Sequence, residues 1–160
     1  ETLPAEEAVN VFVNKMNEKA KEIGCKNTNF TCPDGFHNDN HYTTAMDLLR
    51  ITLYSQDYPE IAASGKKTYR EVEFLSGEYI YWNNSNKLIQ PDSDDYYTYA
   101  TGLKTGMTDY SGHCVVATAE RFGHELIIVC LGSESAAIRW NDTRALFDAG
   151  FAYIRDSDNG

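Results

Sequence analysis

The sequence has few basic residues, no long apolar run and no basic N-terminal segment. Its 160 residues include 14 Lys and Arg against 24 Asp and Glu, a formal net charge of -10. Such a charge repels nucleic acid and acidic membrane surfaces unless cations cluster locally, and no cluster occurs. The longest apolar run, Leu126 to Leu131, is far shorter than the ~20 residues of a membrane helix. These absences argue against nucleic-acid binding and a membrane segment, and Glu1-Thr2-Leu3-Pro4 does not resemble a signal peptide.

The cysteines and histidines give no metal or cofactor signature. The chain has four cysteines but is too large and too rich in core residues to need a disulfide framework, and the cysteine spacings match no zinc knuckle. Cys25 and Cys32 flank a short loop, and the sequence leaves open whether they are bridged, because it does not give their separation. His37 and His41 lie four residues apart in a turn-rich loop, where this spacing does not guarantee a shared face. We therefore predict hydrogen bonding for the two histidines, and neither a metal nor a cofactor.

The predicted elements run in the order helices, strands, helix. Apolar spacings of three and four predict helices, and Thr44 with Asp47 three residues later is typical of a helix N-terminus. Period-two patterns between Gly-containing turns predict strands. The predicted elements are helices at 5–23 and 44–56, a short helix or turn from Tyr58, strands at 69–74 and 79–82, three strands within 99–132, and a closing helix from 135 to 150.

Helices segregated from an antiparallel sheet indicate an α+β fold. One domain is expected over residues 1–155, with a helix- and loop-rich part at 1–95 and three strands plus the closing helix at 96–152. Gly150 is the expected stop of that helix, and residues 156–160 are expected to form a polar tail.

The strongest chemical signal is Thr101-Gly102-Leu103-Lys104-Thr105-Gly106-Met107-Thr108 at the start of the strand region. The Lys104 ammonium offers a point charge to an anion, the Thr105 hydroxyl can donate to the same carboxylate, and Gly106 permits close backbone approach. If this strand is a sheet edge, an extended peptide can pair with it along the main chain. Alone, the tripeptide also fits a solvated lysine beside a turn glycine.

The flanking residues favour the substrate-binding interpretation. The stretch 101–109 and the following Ser111-Gly112-His113-Cys114-Val115-Val116-Ala117 resemble consecutive segments of the low-molecular-weight penicillin-binding proteins, the serine-type D-Ala-D-Ala carboxypeptidases. The resemblance covers residues 9 to 152 and implies a partial β-lactamase/DD-peptidase-like (transpeptidase) fold. Earlier segments resemble the family in its own order, at residues 12–17, 24–30, 33–36, 41–47 and 84–88.

Two motifs of the resembled family are absent from their expected places. The family carries a Ser-x-x-Lys nucleophile motif on a central helix and a Ser-x-Asn motif, both before the segment that this sequence resembles. Ser64-Gly65-Lys66-Lys67 fits the first pattern in a turn after the second helix, and Ser157-Asp158-Asn159 fits the second at the polar terminus. We interpret both as chance matches. The sequence then holds no nucleophile, and the isolated chain is predicted to be inactive.

The resemblance implies roles for the residues that are present. In the family an activated serine attacks the D-Ala-D-Ala carbonyl, D-alanine leaves, and water hydrolyses the acyl-enzyme. Lys104 would bind substrate and tune proton transfer, while Thr105 and Gly106 would hold the terminal carboxylate and the peptide backbone. The backbone N–H of Met107 would be one oxyanion donor. Arg139 matches a basic residue that helps to hold the carboxylate, with a surface helix arginine as an equal alternative.

The implied partners are peptidoglycan stem peptides ending in D-Ala-D-Ala, β-lactams, and the missing N-terminal part of the domain or a second chain. The implied location is extracytoplasmic. Without the missing part, the strand Leu126 to Leu131 would present an apolar edge, so we expect a second chain to cover it or the sheet to rearrange and self-associate. The alternative functions are a non-catalytic peptidoglycan- or penicillin-binding module and a β-lactamase-like hydrolase.

Overall fold

The computed structural model describes residues 3–158, and its helices and strands follow the predicted order. Strands β1 and β2 form a two-stranded ribbon, and β3, β4 and β5 form an antiparallel sheet with β4 in the centre. The α+β prediction is confirmed. The helices are α1 (Ala5–Glu22), α2 (Ala45–Ser55), α3 (Pro59–Gly65) and α4 (Ala136–Asp158), the strands are β1 (Tyr69–Glu73), β2 (Tyr79–Asn83), β3 (Ala100–Thr108), β4 (Gly112–Arg121) and β5 (His124–Ser133), and a 3₁₀ helix spans Lys87–Ile89.

The core lies between the sheet and α4. Because side chains alternate along a strand, β4 directs Val115, Ala117 and Ala119 to one face, and all three are buried. Phe147 and Phe151 of α4 are fully buried in the same cluster. This packing fixes the sheet on which the predicted site lies.

The loop after α1 is tied to α2 by a buried carboxylate. Thr44 caps α2 by accepting a hydrogen bond from the backbone N–H of Asp47 at 3.2 Å, as the sequence predicted. The Asp47 carboxylate instead accepts hydrogen bonds from the backbone N–H groups of Lys26 and Asn27, at 3.1 and 2.7 Å. Burial by itself raises the pKa of the Asp47 carboxyl, but these hydrogen bonds and others from Thr28 and Arg50 hold that pKa below its usual value.

The closing helix continues beyond its predicted end. Helix α4 runs through Gly150 to Asp158, so the predicted stop is wrong. A Cβ at Gly150 would lie 2.6 Å from Leu126 Cδ1, which shows that this glycine allows α4 to pack closely against β5. Phe151, the residue after Gly150, is fully buried, so the apolar face of α4 continues beyond this glycine. Residues 156–158, predicted as a polar tail, form the end of the helix, and residues 159–160 lie outside the described part of the chain.

Strand β5 is an outer strand of the sheet, as expected for Leu126 to Leu131. It pairs with β4 in antiparallel register, so the sheet has not rearranged, and α2 and α4 pack against it. Within residues 3–158 no strand pairs with its other edge, and its cover by a second chain stays a prediction. In the same part of the chain no helix has both the length and the apolar character needed to cross a bilayer.

Candidate functional site

Lys104, Thr105 and Gly106 lie in the middle of β3, at the opposite edge of the sheet from β5. Within the described residues β3 pairs only with β4, so its other edge is open to an extended peptide. The end of α3 supports the strand closely, because a Cβ at Gly65 would lie 2.7 Å from Leu103 Cδ1. The Lys104 ammonium donates a hydrogen bond to the carbonyl oxygen of Thr105.

Arg139 reaches the same region from the first turn of α4. Its side chain is buried, its Nη1 donates to the carbonyl oxygen of Cys114 at 3.1 Å, and its guanidinium lies 3.9 Å from the centre of the Trp140 ring. The buried Nε has no hydrogen-bond partner among residues 3–158. Burial lowers the pKa of the guanidinium from its ordinary value, but arginine stays charged at any working pH. A buried cation with an unpartnered donor can accommodate an anion.

One cleft of about 760 Å³ is lined by all the predicted site residues, namely Lys104, Thr105, Gly106, Met107 and Arg139. The sequence placed four of these on one strand, and the structure brings Arg139 to them.

The opposite wall of the cleft is the loop between α1 and α2. His41 lies here and accepts a hydrogen bond at Nδ1 from the backbone N–H of Thr31 at 3.1 Å. His37 stacks on Tyr110, with ring centres 3.6 Å apart, and so joins the loop to the β3–β4 turn. A hydrogen bond with the Cys32 thiol lowers the pKa of Asp34, which also lines the cleft.

The cysteines and histidines do not gather into a ligand set in the described residues. The thiols of Cys25 and Cys32 are free, as are those of Cys114 and Cys130. Cys25 Sγ lies 3.6 Å from the carbonyl oxygen of Asp47. No group of three or more His, Cys, Asp or Glu side chains is arranged for a metal in residues 3–158.

An apolar groove of about 920 Å³ lies next to the cleft, between the sheet and helices α2 and α3. Thr105 and Ser85 border both the groove and the cleft. Ser64, the serine of the literal Ser-x-x-Lys match, lies near the end of α3 and lines the groove but not the cleft. The apolar lining is formed mainly by Leu48, Ile51, Ile61, Leu103, Val116 and Leu131.

Ser85 is a site residue that the sequence did not reveal. Its Oγ lies 2.5 Å from Thr105 Oγ1, although twenty positions separate the residues. Residues 84–88 are among the segments that resemble the family, but no role was predicted for Ser85, since no spacing rule relates this segment to a later strand.

Comparison with known proteins agrees with this geometry. A family model described as D-alanyl-D-alanine carboxypeptidase matches residues 6–135. The D-alanyl-D-alanine carboxypeptidase DacF of Bacillus subtilis is 31% identical over 142 residues, which cover 88% of this chain and 35% of that protein. The D-alanyl-D-alanine carboxypeptidase of Streptomyces sp. strain K15 is 29% identical over 149 residues, covering 90% of this chain and 50% of that protein.

Solved structures give the same result for the fold. The Streptomyces K15 DD-transpeptidase superposes with a TM-score of 0.86 at 28% identity, over 95% of this chain and 58% of that one. Penicillin-binding protein D2 of Listeria monocytogenes, in its cefotaxime-bound form, gives a TM-score of 0.73 at 30% identity, over 88% of this chain and 55% of that one. The chain thus spans about a third of the length of the first curated relatives, for example 35% of DacF. The resemblance seen in the sequence is confirmed, and the chain belongs to the D-alanyl-D-alanine carboxypeptidase family.

Proposed function

We propose that Lys104, Thr105 and Arg139 form the carboxylate-binding half of a serine D-Ala-D-Ala carboxypeptidase site that trims peptidoglycan stem peptides. The observation that carries the proposal is that the Arg139 guanidinium lines the same cleft as Lys104 and Thr105. Two cationic side chains and a hydroxyl on one cleft form a set of donors for a carboxylate, and the Arg139 guanidinium still has a donor without a partner in the described residues. The open edge of β3 would hold the peptide main chain.

In this proposal the reaction proceeds through an acyl-enzyme. A serine oxygen attacks the carbonyl carbon between the two D-alanines, the C–N bond breaks, and the leaving D-alanine takes a proton. Water then cleaves the ester and regenerates the serine. Lys104 assists binding and proton transfer, Thr105 donates to the terminal carboxylate, Gly106 gives the backbone room, and the Met107 N–H stabilises the oxyanion.

The nucleophile of this reaction is proposed to come from outside the 160 residues, so the isolated chain is expected to be inactive. The apolar groove supports this arrangement, because it has a volume of about 920 Å³, borders Thr105 and could bury the apolar face of a helix. That helix would come from the rest of the domain or from a second chain. Because stem peptides lie outside the cytoplasmic membrane, we place the protein there too, with β-lactams as further ligands.

Labelling with a fluorescent penicillin tests this function. The full-length gene product should be labelled and should release D-alanine, whereas the isolated chain should remain unlabelled. Lys104→Gln in the full-length product should slow labelling by about 100-fold or more, because proton transfer and substrate binding are both weakened. Lys26→Gln, in a loop away from the cleft lining, is the matched control and should label at the normal rate.

The outcomes separate the alternatives. Label at Ser64 would show that this serine, and not one outside the chain, is the nucleophile. A full-length product that binds stem peptide but takes no label would favour a non-catalytic binding module. Rapid loss of label with release of hydrolysed penicillin would favour a β-lactamase-like hydrolase.

A further inference from the structure

The Ser85 hydroxyl contacts Thr105, the residue that the proposed function assigns to the substrate carboxylate. The two hydroxyl oxygens lie 2.5 Å apart, within hydrogen-bonding distance, and both residues border the cleft. Ser85 belongs to no helix or strand of the fold. It lies in the corner between β2 and the 3₁₀ helix.

The corner is held in place on both sides of Ser85. The Asn84 side chain donates to the carbonyl oxygens of Gly65 and Lys67 at 3.3 and 2.9 Å, and its own oxygen accepts from the Asn86 N–H at 2.9 Å. Asn86 is fully buried and accepts from the Leu88 N–H at 3.1 Å. Since both neighbours are anchored by their side chains, the backbone presents the Ser85 hydroxyl at a fixed place next to Thr105.

The direction of the Ser85–Thr105 hydrogen bond follows from the ligand. Each hydroxyl has one hydrogen to donate, and a carboxylate accepts only. When Thr105 donates its hydrogen to a carboxylate, the hydrogen between the two hydroxyls must come from Ser85. A hydroxyl that accepts one hydrogen bond becomes a better donor of the next, so this chain of two bonds also strengthens the contact with the anion.

We propose that Ser85 is a positioning residue for substrate recognition: it donates to Thr105 and thereby directs the Thr105 hydrogen to the terminal carboxylate of the peptide. This inference rests on the proposed function. Ser85 acts only through Thr105, so its effect depends on the negative charge at the end of the ligand. The proposed role of Ser85 also makes the corner between β2 and the 3₁₀ helix a part of the site.

The test uses the full-length gene product and a diacylated tripeptide ending in D-Ala-D-Ala. Ser85→Ala should raise KM about 3- to 10-fold, the usual effect of losing one such hydrogen bond, with kcat nearly unchanged, because the carboxylate is bound in the ground state and the transition state alike. Ser85→Thr restores the hydroxyl and should restore KM. Ser76→Ala, an exposed hydroxyl on the β1–β2 turn, is the control and should behave as wild type.

Two further measurements separate positioning from a general structural effect. The C-terminal amide of the same tripeptide, measured by its inhibition of penicillin labelling, should bind equally to wild type and Ser85→Ala. In a Thr105→Val background, Ser85→Ala should add nothing, since there is no hydroxyl left to orient.

The inference is overturned if Ser85→Ala leaves KM at the wild-type value, whether or not kcat falls, if it weakens acid and amide ligands alike, or if its effect persists in Thr105→Val. In those cases the proposed function stands, because wild-type turnover is intact. A wild-type protein that neither turns over the tripeptide nor takes label refutes the proposed function, and the inference fails with it.

Discussion

Replacing Arg139 by methionine should separate fold stability from carboxylate recognition. The arginine side chain is 7% exposed and makes two contacts, the hydrogen bond to the Cys114 carbonyl oxygen and the stacking on Trp140. Against these stands the buried Nε, which has no partner in the described residues. Methionine has a similar length and flexibility, so it can fill the space without leaving a charge behind.

The stability terms nearly cancel. The lost hydrogen bond from the charged guanidinium to Cys114 contributes about 1.5–3 kcal/mol, and the lost cation–π contact with Trp140 about 1–2 kcal/mol. Removal of the buried charge, with its unpartnered Nε, relieves a desolvation penalty of several kcal/mol. We therefore expect Arg139→Met to change the free energy of unfolding by about 1 kcal/mol or less, measured by urea denaturation.

Ligand binding should respond much more strongly. A hydrogen bond between a guanidinium and a carboxylate contributes about 1.5–3 kcal/mol, which corresponds to about a 10- to 150-fold loss of affinity. The assay is the concentration of a D-Ala-D-Ala peptide that halves penicillin labelling of the full-length product, with the peptide amide as the control ligand. An equal loss for acid and amide, or a fall in stability of more than about 3 kcal/mol, would refute this assignment of Arg139.

Three further predictions concern the fold. Gly112→Ala should lower the free energy of unfolding by about 1–3 kcal/mol, because φ at Gly112 is +61° and a Cβ there would lie 2.9 Å from the Ser133 carbonyl oxygen. Gly123 also has a left-handed φ but no atom within 4 Å of an added Cβ, so Gly123→Ala should lower the free energy of unfolding by less in the same urea titration. Phe147→Ala should lower it by about 3–5 kcal/mol, since the ring is fully buried, and a loss below about 1 kcal/mol would contradict that packing. Folding lowers the pKa of Asp47, so the Asp47 carboxylate stabilises the folded state above the ordinary aspartate pKa of about 4, and this stabilisation is lost as the pH falls below that value. In Asp47→Asn, Tm should therefore fall less steeply as the pH is lowered below about 4.

Local sequence patterns were sufficient for the elements that carry the site. The apolar spacing of α1, the Thr44 cap of α2 and the Gly-containing turns between strands depend on residues a few positions apart. The position of Lys104 on an outer strand was also predictable, because consecutive antiparallel hairpins leave the first strand at an edge. Hence the order of elements, the α+β class and the cleft strand were all predictable from the sequence.

The features that sequence reasoning missed depend on residues far apart in the chain. A glycine at position 150 is typical of a helix end, yet Gly150 lies within α4 and allows it to pack closely against Leu126 of β5. Asp47 has the spacing of an N-terminal cap, yet its carboxylate binds the backbone near residue 26. The contact of Ser85 with Thr105 likewise joins residues that are twenty positions apart in the chain. Tertiary packing determines each of these, and residue spacing alone does not encode it.

The two proposed carboxylate contacts are anchored at different places in the fold. The Arg139 guanidinium donates to the Cys114 carbonyl oxygen of β4, whereas the Thr105 hydroxyl contacts Ser85 in the corner between β2 and the 3₁₀ helix. In the proposed complex both contacts act on the same terminal carboxylate, and groups that share a partner are energetically coupled. Ser85→Ala and Arg139→Met should therefore have non-additive effects on the affinity for the acid peptide, by about 0.5–3 kcal/mol. Ser85→Ala and Thr105→Val should also be far from additive, because Ser85 acts only through Thr105. Fully additive effects of Ser85→Ala and Arg139→Met would instead mean that Thr105 and Arg139 do not bind the same carboxylate.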